Sequence, residues 1–136
     1  MQVIFGVADL ARSSEFYDRA FGWARNPLVD GFDNYVEYLL PQGGAVGLYA
    51  RDGYAAEVGA QPVEIGDDRV SSSYLYLRVE DVDATVESIE AAGGRPLSAL
   101  AERAWGERVA CFADPDRNVL AVAQFVPSDD PAAQLA

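Results

Sequence analysis

The side chains able to do chemistry in this chain are few, and the first fact about them is an absence. Among 136 residues there is no histidine, and every basic residue is an arginine. Without an imidazole there is no base tuned to neutral pH, no Ser-His-Asp triad and no ordinary His-containing zinc or iron site. Carboxylates, tyrosines and one thiol remain. Glu37 sits between Tyr35 and Tyr38 in an apolar run. Facing a cavity it is a counter-charge for a cation, or a general base if desolvation raises its pKa; facing water it is a plain surface charge. Tyr74 and Tyr76 alternate with Leu75 and Leu77, so both phenols share one face of a strand. Tyrosine is a poor base near neutrality unless its pKa falls far. Trp105 precedes Gly106 and Glu107, either as a stacking surface or as a hydrophobe capping a strand start. Cys111 is the single cysteine, so no internal disulfide forms; it reads first as a small buried hydrophobe.

The elements that must position these groups come as a repeat. Displaced by 72 residues, the chain pairs Val7 with Val79, Asp9 with Asp81, Leu10 with Val82, Ser13 with Thr85, Ala20 with Ala92 and Gly22 with Gly94. Both copies read as a short apolar strand, a Val-x-Asp turn, a helix and a glycine stop, which predicts two half-domains in tandem. In the first copy strands are expected over 2–7, 24–30, 35–40 and 45–50, with a helix capped by Asp9 or Ser13 that runs to about Phe21. Pro27 makes the second strand an edge candidate. The second copy predicts strands over 74–79, 96–101, 107–113 and 119–126 and a helix over 82–92, with Val82, Val86 and Ile89 on its inner face. Residues 51–72 mix Gly, Pro, Asp and Ser with little periodicity and read as a linker between half-repeats at about 1–50 and 73–126. Residues 127–136 read as a flexible tail.

Bulk properties narrow the class. The length suits one domain with a real core. A net charge of -12, from 22 acidic and 10 basic residues, repels nucleic acid and anionic membranes and favours neutral or cationic partners. No apolar run reaches the ~18 residues of a membrane span, and no leader-like segment opens the chain. A cytoplasmic protein is the expectation.

Two signatures, VADLARSSEFYDRAFGW over 7–23 and AWGERVACFADPDRNVLAV over 104–122, together with the half-repeat, resemble the vicinal oxygen chelate superfamily of glyoxalases, bleomycin-resistance proteins and extradiol dioxygenases. The resemblance implies an α+β fold of two tandem βαβββ modules whose curved mixed sheets surround a cleft, commonly in a homodimer. It also implies four metal-ligand positions, on the first, fourth, fifth and eighth strands, which fall here on Gln2, Gly47, Tyr74 and Ala121. Gly and Ala bring no donor atoms, and a Gln amide with a neutral phenol does not hold a hard cation alone. No metal and no cofactor are therefore expected. The pattern departs at Arg117, where the family carries glycine; Asn118 is the residue available for a left-handed turn.

Alternation assigns the cleft face. Ile4 goes with Gln2, Tyr49 with Gly47, Tyr76 and Arg78 with Tyr74, and Ala123 and Phe125 with Ala121. Gly47, Ala121 and Ala123 would leave room beside the aromatics, which suits a preformed pocket for a flat organic molecule or a dimer interface. The expected ligand-contacting set is Gln2, Ile4, Glu37, Gly47, Tyr49, Tyr74, Tyr76, Trp105, Ala121 and Ala123. Tyr54, in the linker, is a candidate to close over it. Three functions follow: metal-independent sequestration of an aromatic or cationic compound, a metal-free lyase or isomerase using Glu or Tyr, and a dimeric interaction module with a filled cleft.

Overall fold

Each copy of the repeat builds its own four-stranded sheet. The computed structural model describes residues 1–127; of the tail expected over 127–136, residues 128–136 lie outside the described residues. The first module runs β1 (Gln2–Val7), α1 (Leu10–Ala20), β2 (Ala24–Arg25), β3 (Tyr35–Leu39) and β4 (Ala45–Ala50). A helix α2 (Arg51–Val58) follows. The second module runs β5 (Tyr74–Arg78), α3 (Val82–Ala91), β6 (Arg95–Glu102), β7 (Glu107–Ala113) and β8 (Val119–Phe125). Strand orders are β1-β4-β3-β2 and β5-β8-β7-β6. In each sheet the first and last strands pair in parallel and the other neighbours antiparallel. This is an α+β fold of two tandem βαβββ modules.

The repeated letters have repeated jobs. Asp9 accepts a hydrogen bond from Arg12 N at 3.0 Å, and Asp81 from Ala84 N at 3.1 Å, so each aspartate caps its helix. Ser13 is not the cap; it lies buried within α1. Gly22 takes a φ of 63° after α1, and Gly93, not Gly94, takes 95° after α3. Gly94 is required for another reason: a Cβ there would stand 3.0 Å from the Ile89 carbonyl oxygen.

The helices cover one face of each sheet. Val7, Phe16, Tyr17, Tyr38 and Leu48 from the first module join Val82, Ile89, Phe112, Leu120 and Val122 from the second in one buried cluster. Burying each such side chain is worth about 1.5–3 kcal/mol. Reciprocal turns also fasten the modules together. The β7–β8 turn offers Asp116, whose carboxylate accepts from Ala8 N at 2.9 Å and Ser13 Oγ at 2.7 Å. The β3–β4 turn offers Gln42, whose amide donates to the Arg78 carbonyl at 3.3 Å. Asp114, buried beside them, accepts from Tyr17 Oη at 2.7 Å and from Asn118 N at 2.8 Å. The DPDRN turn is thus a structural latch.

Three expectations need correction. The second strand is two residues long, because Pro27 opens a 3₁₀ turn (Pro27–Val29) that Asn26 caps. Residues 51–58 of the expected linker are helical, ended by Gly59 at a φ of 83°. No residue of α2 is buried, so no apolar stripe marked it in the sequence. Finally, Arg117 itself occupies the left-handed region at a φ of 66°, where Asn118 was the candidate.

Candidate functional site

The faces turned away from the helices carry two polar clusters, one per module. On β1, β3 and β4 the centre is Glu37. Gln2 Nε2 donates to Glu37 Oε1 and, at 2.7 Å, to Tyr35 Oη. Tyr35 Oη donates to Glu37 Oε1 at 2.7 Å, and Asn26 Nδ2 donates to Oε2 at 2.6 Å. Strand pairing explains the meeting: Glu37 stands opposite Gly47 on β4, and Gly47 opposite Ile4 on β1. The Asn26 and Tyr35 hydrogen bonds, joined by Gln2, outweigh burial and hold the Glu37 carboxyl below its usual range. Burial, reinforced by the Glu37 carboxylate, pushes the Tyr35 hydroxyl well up. Glu37 therefore stands as an anion on the sheet face away from the helices. It is not a base primed by desolvation.

In the second module the centre is Glu107, which is 0% exposed. Arg78 grips it through Nε at 3.0 Å and Nη2 at 3.2 Å, and Tyr76 Oη donates to it at 2.9 Å. The fork is bidentate, the strong form of a carboxylate contact. Trp105 Nε1 donates to Tyr76 Oη at 3.0 Å. The Arg78 guanidinium lies 5.3 Å from the Tyr76 ring centre and 5.2 Å from that of Phe125. Burial and the Glu107 carboxylate push the Tyr76 hydroxyl up, against the opposing Trp105 N–H.

The expected site residues divide between these two faces. Gln2, Ile4, Glu37, Gly47 and Tyr49 belong to the first, and Tyr74, Tyr76, Trp105, Ala121 and Ala123 to the second. Tyr74 is 60% exposed, Trp105 45% and Ile4 42%, which leaves an aromatic and aliphatic surface open. The room expected beside the small residues is already filled. A Cβ on Gly47 would stand 2.7 Å from Tyr35 Cε1, so the Tyr35 ring lies across the glycine. Ala121 and Ala123 are buried with Val109, under Tyr76 and Cys111. Tyr54 does not roof this surface; its ring packs on Gly6 at the far end of β1.

Three contributors were missed: Asn26, Tyr35 and Glu107; Arg78 was placed on the cleft face but left out of the ligand-contacting set. The repeat offset held a usable signal, since the 72-residue step that matches Gln2 to Tyr74 also carries Tyr35 onto Glu107. Asn26 had none, because the β2–β3 register that pairs Arg25 with Tyr38 carries it onto Glu37, whose carbonyl accepts from Asn26 N at 2.8 Å.

The donor set does not fit a divalent cation. Gly47 and Ala121 supply no ligand atom, and the Gln2 amide oxygen with a neutral Tyr74 phenol does not hold a hard cation alone. Among the described residues no group of three or more Cys, Asp or Glu is placed to hold a metal ion.

With fold and faces in view, comparison with known proteins is direct. The model of the Glyoxalase/Bleomycin resistance protein/Dioxygenase superfamily matches residues 2–122, and the chain belongs to that superfamily. It is 30% identical over 125 residues to the uncharacterized protein YraH of Bacillus subtilis (strain 168), covering 90% of this chain and 94% of YraH. A glyoxalase-related enzyme from Fulvimarina pelagi superposes with a TM-score of 0.76 at 25% identity, over 90% of this chain and 85% of the other. A glyoxalase/bleomycin resistance protein/dioxygenase family enzyme from Burkholderia phytofirmans PsJN gives 0.78 at 23% identity, over 92% and 97%. No helix among the described residues is long and apolar enough to cross a membrane.

Proposed function

We propose that this chain is a metal-independent binding protein of the glyoxalase/bleomycin-resistance type, which sequesters an aromatic, cationic compound on its open sheet faces. The observation that carries the reading is the Glu37 carboxylate held among Gln2, Tyr35 and Asn26, beside Gln2 and Gly47, two of the positions where the resemblance implies metal ligands. A carboxylate kept charged beside tyrosine rings attracts a cation, and the exposed faces of Tyr74 and Trp105 offer stacking area. Net charge of -12 adds long-range attraction of the same sign. Sequestration needs complementarity alone, so a site without a reactive group suffices. Calorimetric titration with planar aromatic cations and bleomycin-type compounds tests it; saturable binding is expected, and a flat response across the panel would sink the idea.

Acid–base catalysis is less well supported. Glu37 is held as a weak base, and Tyr35 and Tyr76 are pushed away from the phenolates a catalyst would need. A second reading has one specific observation in its favour. Ile4, Tyr74, Trp105 and Phe125 are large apolar groups exposed on the same faces, and an interface with a second copy of the chain would cover them. Light scattering across a concentration series separates the readings: a stable dimer that binds nothing on the panel favours the interaction module.

A further inference from the structure

A second cavity lies away from both polar clusters, where the end of β1 meets α2, the 62–65 segment and the β7–β8 turn. Its volume is about 310 Å³, at the small end of the range for ligand pockets. Three arginines line it, Arg12, Arg51 and Arg117, against two acids, Glu64 and Asp116. Two of the cations are already committed, Arg12 to Asp116 at 3.4 Å and Arg117 to Asp67. Asp116 is saturated as well, by Ala8 N and Ser13 Oγ. Glu64 is exposed at the rim.

Arg51 is the exception. Among the described residues it makes no ion pair, although the chain carries 22 acidic side chains to choose from. Its Nε is buried without a hydrogen-bond partner. A buried guanidinium donor left unmade is destabilising. Helix stability does not account for it either. Arg51 opens α2, where the helix dipole disfavours a cation, and Ala50 ahead of it makes no side-chain cap. Phe5, Tyr54, Pro62, Val63 and Ile65 give the remaining wall its apolar area, with polar Ser71 and Asn118 beside them.

We propose that this cavity binds a small carboxylic acid bearing one ring or branched apolar group, its carboxylate held by Arg51. Guanidinium and carboxylate match as planar forks, and among the described residues Arg51 has no ion pair to give up. Tyr54 and Pro62 receive the apolar end. The cavity shares Ile4 with the first sheet face but none of Gln2, Tyr35 or Glu37.

Benzoate, with benzamide as its uncharged counterpart, is a direct probe by calorimetry on the full chain. The proposal expects saturable benzoate binding and at least tenfold weaker benzamide binding. Arg51→Met should weaken benzoate at least tenfold, and Arg51→Lys, which keeps charge but not the fork, by less. Val63→Glu places a repelling charge on the cavity rim at a residue 81% exposed, and should weaken benzoate similarly without disturbing the fold. Trp105→Ala, on the opposite site, should leave benzoate binding within twofold. Absence of benzoate binding at millimolar concentration overturns the proposal. So does benzoate affinity that survives both Arg51→Met and Val63→Glu, equal affinity for benzamide, or loss of binding in Trp105→Ala alone.

Discussion

Glu37 shows how much the immediate neighbours of one residue decide. Its sequence setting allowed a counter-charge, a base or a surface carboxylate. Three donors keep it ionised, which argues against the base. Because its folded pKa lies below the ordinary 4.5, its contribution to stability is present above that value and is lost as pH falls through the folded value. Glu37→Gln should therefore show a smaller drop in urea midpoint than the parent between about pH 6 and about pH 3.5; a larger drop would contradict the assignment. The variant should also weaken an aromatic cation at least tenfold in calorimetry. Asp114 tilts the other way. Burial raises its pKa above 3.8, so what it adds is fully present below 3.8 and lost as pH rises through its folded value. Comparing Glu37→Gln with the parent cancels that opposing slope.

Arg117 is a residue-scale cost with a measurable remedy. A side chain at a φ of 66° pays about 1–2 kcal/mol relative to the right-handed region. Glycine removes that strain but gives the unfolded chain more freedom and forfeits the exposed pair with Asp67. The net expectation for Arg117→Gly is a gain of about 1 kcal/mol in chemical denaturation. A loss would mean that the Asp67 pair contributes more than exposed pairs usually do.

At the scale of elements, the two modules were legible because their signals are local. Strand alternation, aspartate caps and glycine stops recur at a fixed offset, and β1, β4 and β7 fall where the pattern puts them. Elements that lack a buried stripe were not legible. α2 has no buried residue, and the stub β2 ends where Pro27 begins a turn. For the same reason the sequence revealed which residues share a face but not what fills the space above them. Nothing local says that the Tyr35 ring lies across Gly47, since that depends on the β3–β4 register. Gly47→Ala tests this placement: the added methyl must displace Tyr35, so it should perturb the Gln2–Tyr35–Glu37 cluster and cost about 1–3 kcal/mol. An unchanged tyrosine environment in aromatic proton spectra would contradict the packing. The turn latch belongs to this scale too. Tyr17→Phe strips a donor from buried Asp114 and should cost about 1–3 kcal/mol in urea unfolding. A neutral result would mean that the β7–β8 turn does not fasten the modules.

The molecule as a whole keeps the family's architecture, with hydrogen-bonded carboxylate clusters on the faces away from the helices. Each module presents a carboxylate, Glu37 or Glu107, tied to a tyrosine on the face away from the helices. They differ in charge. Glu107 is neutralised by Arg78, whereas Glu37 is met only by neutral donors. Under the proposed function, the first face would attract the cation and the exposed aromatics of the second would supply contact area. Affinity for the organic molecule should not depend on a divalent ion.

The most direct measurement is calorimetric titration of the protein with planar aromatic cations, first after dialysis against EDTA and then with added magnesium or zinc. The account predicts saturable binding after EDTA treatment, with a dissociation constant that stays within twofold when either ion is restored. Binding that appears only when a divalent ion is present would contradict it.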